Sequence, residues 1–185
     1  MIEEALAAIL DGQVVGMPTD TVYGVGADPF NLNAVERLFE LKGRPEHKPV
    51  GVLVATVDQA REIGAITEGA AELAERHWPG ALTLIVTPKV VLSDWVGDKQ
   101  SRTLGVRVPD HPVARDLLEL SGPLAVTSAN RSGGPEAMSD REARDVFGDE
   151  VAVYLEGRAP GGQASTVVDA TGPDLTVLRA GPVEI

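Results

Sequence analysis

The chain has 185 residues, of which 43% are hydrophobic and 24% charged, and this balance suits one globular domain with a sizeable core. Its net charge of −12 argues against a protein that binds nucleic acid by electrostatic attraction alone, although a local basic cleft is compatible with it. Cysteine is absent, which excludes disulfides, thiolate metal sites and a cysteine nucleophile. The N-terminus is acidic and no apolar run approaches the ~20 residues that span a bilayer, so we expect a cytoplasmic protein with no membrane contact.

The first half of the chain alternates between helical and strand-like patterns. Apolar spacing predicts helices at 2–10, 33–41 and 68–78, a short helix after Thr56, and strands at 13–17, 50–54 and 82–86, with another short strand after 18–21. The run 82–86 is continuously apolar or β-branched, which predicts a strand covered on both faces. Polar residues at the predicted helix starts serve as candidate N-caps: Asn33, Thr56 and Thr67.

The second half continues the alternation after an irregular segment, 89–102. Strands are predicted at 104–108, 124–126, 151–155, 165–169 and 175–178, the last two as a pair, and helices begin after Asp110 and Ser139. Several neighbouring strands are joined by loops too short for a crossover helix, so the sheet must be mixed rather than parallel. The expected fold is α/β (α+β in some schemes): a three-layer, twisted mixed sheet with helices on its faces, in a single domain over 1–185.

A basic loop at 41–49 separates one predicted helix from the next strand. It holds Lys42, Arg44 and Lys48, while Gly43 can end the helix in the left-handed conformation and two prolines stiffen the rest of the loop. A rigid cationic loop suits anion binding, because fixed donors lose little entropy when the anion arrives. Alternatively, Lys42 and Arg44 complement the negative end of the helix dipole, and these residues alone leave both interpretations open. Since like charges held close repel, the first interpretation predicts that Lys42→Ala or Arg44→Ala does not destabilise the empty protein.

Three other polar groups lie at predicted strand ends, where α/β sheets bind ligands. The sequence Thr19-Asp20-Thr21 offers hydroxyls, or merely an ordinary turn. Arg107, four residues after Thr103, interrupts an apolar strand and therefore needs a carboxylate, either of the protein or of a ligand. The segment 128–130 offers small donors and acceptors, and an exposed turn is the alternative. Neither the Walker nor the dinucleotide-binding pattern occurs.

Taken together in their order and spacing, these segments resemble the YrdC/Sua5 family. The matching segments are 18–24 (PTDTVYG), 42–45 (KGRP) with 48–49 (KP), 78–83 (WPGALT), 106–109 (VRVP), 127–130 (TSAN) with 132–133 (SG), and 165–166 (ST). The resemblance extends from about residue 17 to residue 181 and favours anion binding by the basic loop. It implies an L-threonylcarbamoyladenylate synthase, which makes threonylcarbamoyl-AMP and pyrophosphate from L-threonine, bicarbonate and ATP. That product would feed the N6-threonylcarbamoyladenosine modification of tRNA through a downstream tRNA threonylcarbamoyl transferase complex.

The resemblance also implies roles for individual residues. The positions that match the threonine site are Thr21, Arg107, Ser128 and Ser165. The positions that match ATP contacts are Arg44, Lys48, Thr103, Asn130 and Arg179, with Lys42 and Arg44 as the catalytic pair. The sequence departs from the family pattern at Ala180, where proline is common, and at Leu53, Met138 and Ser139, where other members place polar contacts.

The implied mechanism uses positioning and cationic stabilisation rather than a cysteine or histidine, and Mg²⁺ arrives with ATP because no dedicated carboxylate cage is visible in the sequence. Two other functions compete. One is a non-catalytic module that binds double-stranded RNA or acts in ribosome assembly, or that at least makes a weak contact with tRNA. The net negative charge and the small number of aromatic residues, seven in all, weigh against this function. The other is a carbamoyl-adenylate enzyme with a different acceptor, as in hydrogenase maturation proteins. The short chain looks like the form without an extra C-terminal domain and lacks the accessory domains of that second group.

Overall fold

A computed structural model describes residues 1–43 and 49–185. This part of the chain contains ten strands and six α-helices, together with a short 3-10 helix at Gly148–Glu150. The helices are α1 (Ile2–Leu10), α2 (Leu32–Lys42), α3 (Val57–Ile63), α4 (Glu68–His77), α5 (Pro112–Ser121) and α6 (Asp140–Phe147). The strands are β1 (Val15–Pro18), β2 (Tyr23–Ala27), β3 (Val52–Leu53), β4 (Gly64–Ala65), β5 (Leu82–Pro88), β6 (Leu104–Arg107), β7 (Leu124–Ser128), β8 (Val153–Tyr154), β9 (Thr166–Asp169) and β10 (Thr176–Arg179).

The strands form one mixed sheet. Their order is β10-β9-β5-β6-β3-β7-β2-β1-β8, and the short β4 pairs with β5 outside this path. The pairs β5–β9, β3–β6 and β1–β8 are parallel, whereas the remaining pairs are antiparallel. Short loops join the antiparallel neighbours β1–β2 and β9–β10, and the coexistence of parallel and antiparallel pairs confirms the predicted mixed α/β sheet.

The two faces of the sheet are covered unequally. On one face α2, α4 and α6 pack over a large apolar core. On the other face α1 and α5 pack against β1 and one end of β7 in a smaller cluster. Strand β5 buries only alternate side chains, those of Leu82, Leu84 and Val86, in the large core, while Thr83 and Ile85 between them line a cavity. The prediction that 82–86 is covered on both faces is therefore wrong: the second face of this part of the sheet is left open.

Side-chain caps fix the start of several helices. The hydroxyl oxygens of Thr56, Thr67 and Ser139 accept from backbone N–H groups at 3.2, 3.2 and 3.3 Å, which confirms three predicted N-caps. The other two predicted caps are wrong. Helix α2 is capped by Asn31, whose Oδ1 accepts from Ala34 at 3.2 Å, so the cap lies two residues before Asn33. Helix α5 is preceded by His111 as its N-cap residue and not by Asp110. His111 makes no side-chain cap bond, and Pro112 at the first helical position leaves one N–H group fewer in need of an acceptor.

Within residues 1–43 and 49–185, no helix is long and apolar enough to cross a membrane.

Candidate functional site

The open part of the sheet is the floor of a cavity of about 400 Å³. Its floor comes from β3, β5, β6 and β7, and its rim from the segments before β2, β6 and β9. Gly105 has no side chain to fill this space, and a Cβ atom there would lie 3.3 Å from the Thr83 methyl group and 3.4 Å from Ile85. The fold thus leaves a solvent-open space where a longer side chain would otherwise pack.

Six of the predicted site residues line this cavity: Thr21, Thr103, Arg107, Ser128, Ser165 and Arg179. Lys42 and Asn130 lie directly behind Ser128 and bond to it, without being part of the lining. Arg44 and Lys48 lie outside the described residues. Leu53 lines the cavity as an apolar residue of the floor, whereas Met138 and Ser139 are part of the start of α6.

Arg107 is the buried cation of the site. Its Nε donates to the carbonyl oxygen of Gly80 at 3.0 Å, its Nη1 to Thr21 Oγ1 at 3.3 Å, and its Nη2 to the carboxylate of Asp20. The side chains of Arg107 and Asp20 are only 10% and 12% exposed, so the pair is shielded from water. Burial lowers the pKa of Arg107, Asp20 opposes that shift, and the charge of the nearby Arg179 lowers it further.

A guanidinium group carries five N–H bonds, and in the described part of the chain three of those of Arg107 have acceptors. One N–H remains on each of Nη1 and Nη2. Two N–H bonds of one guanidinium can bind both oxygens of a carboxylate, and we refer to this remaining pair as the carboxylate fork. The sequence left open whether Arg107 meets a carboxylate of the protein or of a ligand, and the structure provides the first while leaving donors for the second.

The hydroxyl of Thr21 is committed to its neighbours. Thr19 donates its own hydroxyl hydrogen to the carbonyl oxygen of Val22 at 2.7 Å, so Thr21 is the donor in the 3.2 Å contact between the two hydroxyls. Thr21 Oγ1 also accepts from Arg107. Thr21 can therefore accept one more hydrogen bond from a ligand but has no second hydrogen to donate.

Ser165 joins the cavity to Arg179. Both Nε and Nη2 of Arg179 donate to the carbonyl oxygen of Ser165, at 3.1 and 2.8 Å, and Nη2 also donates to its hydroxyl oxygen at 3.2 Å. The Ser165 hydroxyl lies 2.8 Å from that of Thr83 on β5. These bonds hold Arg179 at the cavity even though Ala180 stands where the family commonly has proline.

Lys42 is a buried residue and not an exposed cation of the basic loop. Its side chain ends α2, is 3% exposed, and donates from Nζ to the carbonyl oxygen of Ser128 at 2.7 Å and to Asn130 Oδ1 at 2.8 Å. Gly43 follows in the left-handed conformation, as predicted. These bonds weigh against the expectation that Lys42→Ala leaves the empty protein no less stable, which stays a prediction for experiment.

Asn130 uses its whole side chain inside the protein. Its Oδ1 accepts from Lys42 and, at 2.7 Å, from the Ser128 hydroxyl, while Nδ2 donates to the carbonyl oxygens of Arg131 and Gly134 at 3.0 and 2.9 Å. Both amide hydrogens are thus engaged, so a direct bond from Asn130 to ATP would have to break one of them. The arrangement fits a residue that shapes the loop after β7.

That loop is fastened to the end of α2 by two further bonds. Arg131 Nη1 donates to the carbonyl oxygen of Leu41 at 2.5 Å, and the N–H of Ser132 donates to the carbonyl oxygen of Lys42 at 2.7 Å. The last carbonyls of a helix have no partner within the helix, so these donors satisfy groups that would otherwise need water. The helix end and the loop after β7 therefore form one rigid support beside the cavity.

Two carboxylates also line the cavity, Asp98 and Glu136. Hydrogen bonds from the side chain and backbone of Ser101 and from the backbone of Gln100 lower the pKa of Asp98, which keeps it charged. Among the residues described, no group of three or more His, Asp and Glu side chains could hold a metal ion.

The sequence reasoning missed Asp20 as the partner of Arg107, and Thr83, Asp98 and Glu136 as lining residues. Asp20 and Thr83 both stand inside segments that were singled out, 18–24 and 78–83. The alternation of polar Thr83 between apolar neighbours on β5 was the available signal for an open face.

Known proteins are similar to this chain over nearly its whole length. The profile of the Sua5/YciO/YrdC family, described as "Telomere recombination", matches residues 7–181. A Mycobacterium tuberculosis relative is 47% identical over 184 residues, which are 98% of this chain and 84% of that protein. The threonylcarbamoyl-AMP synthase of Bacillus subtilis is 39% identical over 187 residues, covering 98% of this chain and 54% of that protein. The structure of Pyrococcus abyssi Sua5 complexed with L-threonine matches with a TM-score of 0.90 and 38% identity over 97% of this chain and 54% of that chain. The chain thus spans about half the length of the last two.

Proposed function

The chain belongs to the Sua5/YciO/YrdC family, and from this membership and the cavity we infer that it forms L-threonylcarbamoyladenylate and pyrophosphate from L-threonine, bicarbonate and ATP. The observation that carries the proposal is the fork of Arg107, whose two remaining N–H bonds lie at a cavity lined by hydroxyl groups. The solved structure of a similar protein, Pyrococcus abyssi Sua5, is that of its complex with L-threonine.

Arg107 binds the carboxylate of threonine in this proposal. Asp20, Thr21 and the carbonyl oxygen of Gly80 fix the guanidinium before the substrate arrives, so little entropy is lost on binding. The buried position strengthens the contact, since few water molecules compete for the same donors.

The triphosphate of ATP would lie toward Arg179 and the basic loop. Arg179 is anchored on Ser165 at the rim, and Thr103 lines the same cavity as Arg107. We propose Arg44 and Lys48 as phosphate ligands. Lys42 and Asn130 contribute by holding Ser128 and the loop after β7 in place.

The reaction then proceeds in two steps. The threonine amine adds to bicarbonate with loss of water, forming a C–N bond and an N-carboxylate. An oxygen of that carboxylate attacks the α-phosphorus of ATP, and the bond to pyrophosphate breaks. The protein's part is to hold the reactants in line and to stabilise the developing negative charge with fixed cations.

Mg²⁺ enters as the complex with ATP in this proposal, because the described residues hold no cluster of three or more candidate ligands. The product would be consumed by a tRNA threonylcarbamoyl transferase complex, and the enzyme would therefore act in the cytoplasm with the tRNA pool.

The test is a direct assay. The protein is incubated with ATP, Mg²⁺, threonine and labelled bicarbonate, and pyrophosphate and a labelled adenylate are measured. We expect both products only when all substrates are present. Pyrophosphate release without threonine, or a labelled adenylate formed equally well with an unrelated acceptor, would contradict the proposal.

A further inference from the structure

Several hydroxyl groups line the cavity, and some of their hydrogens have an acceptor among the described residues while others, such as that of Thr127, do not. Thr21 donates to Thr19, and Ser128 donates to Asn130 Oδ1 at 2.7 Å, so both hydrogens are committed. Ser165 and Thr83 lie 2.8 Å apart and share one hydrogen between them. The other hydrogen of this pair is left for a ligand or for water.

Arg179 influences which of the two hydroxyls carries that hydrogen. Its Nη2 donates to Ser165 Oγ at 3.2 Å, so its positive charge disfavours a Ser165 hydrogen that points toward Arg179. When Ser165 donates to Thr83, the remaining hydrogen is that of Thr83 and is available to a ligand in the cavity. Each bond of such a chain polarises the next, which makes the terminal hydroxyl a better donor.

Thr83 also lies beside the carboxylate fork. In the antiparallel register of β5 and β6, Leu84 is opposite Val106, and continuing the register by one residue places Thr83 opposite Arg107. Directly opposite residues have Cβ atoms about 4.5–5.5 Å apart. Both side chains line the cavity, and the Thr83 methyl group is turned toward the bare floor at Gly105, as the 3.3 Å spacing indicates.

These positions match the chemistry of a hydroxylated amino acid, in which the carboxylate and the side-chain hydroxyl are carried by adjacent carbons. We propose that Thr83 is a specificity-determining residue, whose hydroxyl donates to the side-chain hydroxyl of the amino acid whose carboxylate lies on Arg107. The inference rests on the proposed function and assigns its choice of amino acid to a residue of β5.

The experiment compares threonine with valine, its apolar isostere, and with serine, which lacks only the methyl group. The variants are Thr83→Val, which removes the hydroxyl at nearly constant volume, and Thr83→Ser, which keeps it. Thr87→Val is the matched control, because Thr87 is an exposed residue of the same strand outside the cavity. For each protein, kcat/KM for adenylate formation and the KM for ATP are measured.

The wild type should prefer threonine to valine by about 100-fold, since a buried donor is left unpaired by valine, and should reject serine by less. In Thr83→Val we expect the threonine-to-valine ratio to fall about tenfold or more while the KM for ATP stays unchanged. Thr83→Ser and Thr87→Val should keep the wild-type ratio. If Thr83 only supports Ser165, Thr83→Val should instead lower kcat/KM for threonine and for valine equally and raise the KM for ATP.

An unchanged threonine-to-valine ratio in Thr83→Val overturns the inference while leaving the proposed function intact. If the wild type makes no adenylate but binds threonine in calorimetry, the proposed function fails. In that case the ratio of the binding constants for threonine and valine, measured by calorimetry on the same variants, still decides the role of Thr83. If the wild type binds neither amino acid, both proposals are wrong.

Discussion

Removal of the Lys42 ammonium is the most direct test of how the site is supported. The sequence placed Lys42 among repelling loop cations, whereas the structure buries it between α2 and β7 with Nζ bonded to Ser128 and Asn130. Lys42→Met keeps most of the side-chain length and removes only the charged donor. We expect the nucleotide-free variant to be less stable than the wild type.

The magnitude rests on the two short bonds of Nζ, 2.7 Å to the Ser128 carbonyl oxygen and 2.8 Å to Asn130 Oδ1. Hydrogen bonds from a charged donor contribute about 1.5–3 kcal/mol each. Both acceptors keep a second donor, the backbone N–H of Asn130 at 3.0 Å and the hydroxyl of Ser128 at 2.7 Å, so neither becomes unpaired. Removing a buried charge also recovers part of its desolvation cost. We therefore expect a net loss of about 2 kcal/mol, which for a chain of this size lowers the Tm by about 4–8 °C.

The assay is thermal and urea unfolding of the nucleotide-free protein, with Lys99→Met as the matched control. Lys99 is 54% exposed and bonds to the carbonyl oxygen of Leu92, so the same substitution there should cost less than about 0.5 kcal/mol. A double-mutant cycle with Asn130→Ala should give a coupling energy of about 1 kcal/mol or more, since the two side chains touch. A Lys42→Met protein as stable as the wild type would refute the buried-bond account and restore the repelling-loop interpretation.

Three further outcomes are expected. Arg107→Ala should raise the KM for threonine by about 100-fold while changing the KM for ATP less than threefold, and equal losses for both substrates would show that the carboxylate assignment is wrong. Gly105→Val should block the cavity floor, so calorimetry should detect neither threonine nor ATP binding while the Tm falls by only a few degrees. Hydrogen bonds from the backbone N–H of Met138 and the side chain of Arg158 lower the pKa of Glu142 in the folded protein. The charged carboxylate therefore stabilises the fold fully above the ordinary pKa of about 4.3, and this contribution is lost as the pH falls through the lower folded-state pKa. Glu142→Gln should therefore weaken the acid dependence of the Tm between neutral pH and pH ~3, and an identical pH profile would contradict this.

Most of the secondary structure could be predicted from local signals. Apolar spacing placed the six helices of the described residues, and hydroxyl caps fixed the starts of α3, α4 and α6. The wrong cap of α2 has a local cause. Both Asn31 and Asn33 can accept from the first turn of α2, and only the observed backbone, which is extended at Asn31, selects between them. The open face of β5 had a weaker signal in Thr83 alone, because an apolar run with one threonine is compatible with either one or two covered faces.

The residues of the site were easier to find than their partners. Motif spacing identified six of the residues that line the cavity. The bond between Lys42 and Asn130, which are 88 positions apart in the chain, depends instead on the packing of α2 against the loop after β7. Asp20 illustrates the same limit, since it reaches Arg107 from a turn 87 positions away. A sequence pattern indicates which donors and acceptors are present, whereas the tertiary fold decides which of them are consumed internally.

Arg179 reaches the cavity from the edge of the sheet. Strand β10 is exposed along its length and, among the described strands, pairs only with β9. Edge strands with one hydrogen-bonded neighbour open locally at lower free energy than central strands, so backbone amides of 176–179 should exchange with deuterium sooner than those of β5. Arg107 lies on β6, inside the sheet, so local opening of the edge at β10 leaves the carboxylate fork in place. Arg179 and Arg107 are therefore held by parts of the sheet that differ in local stability.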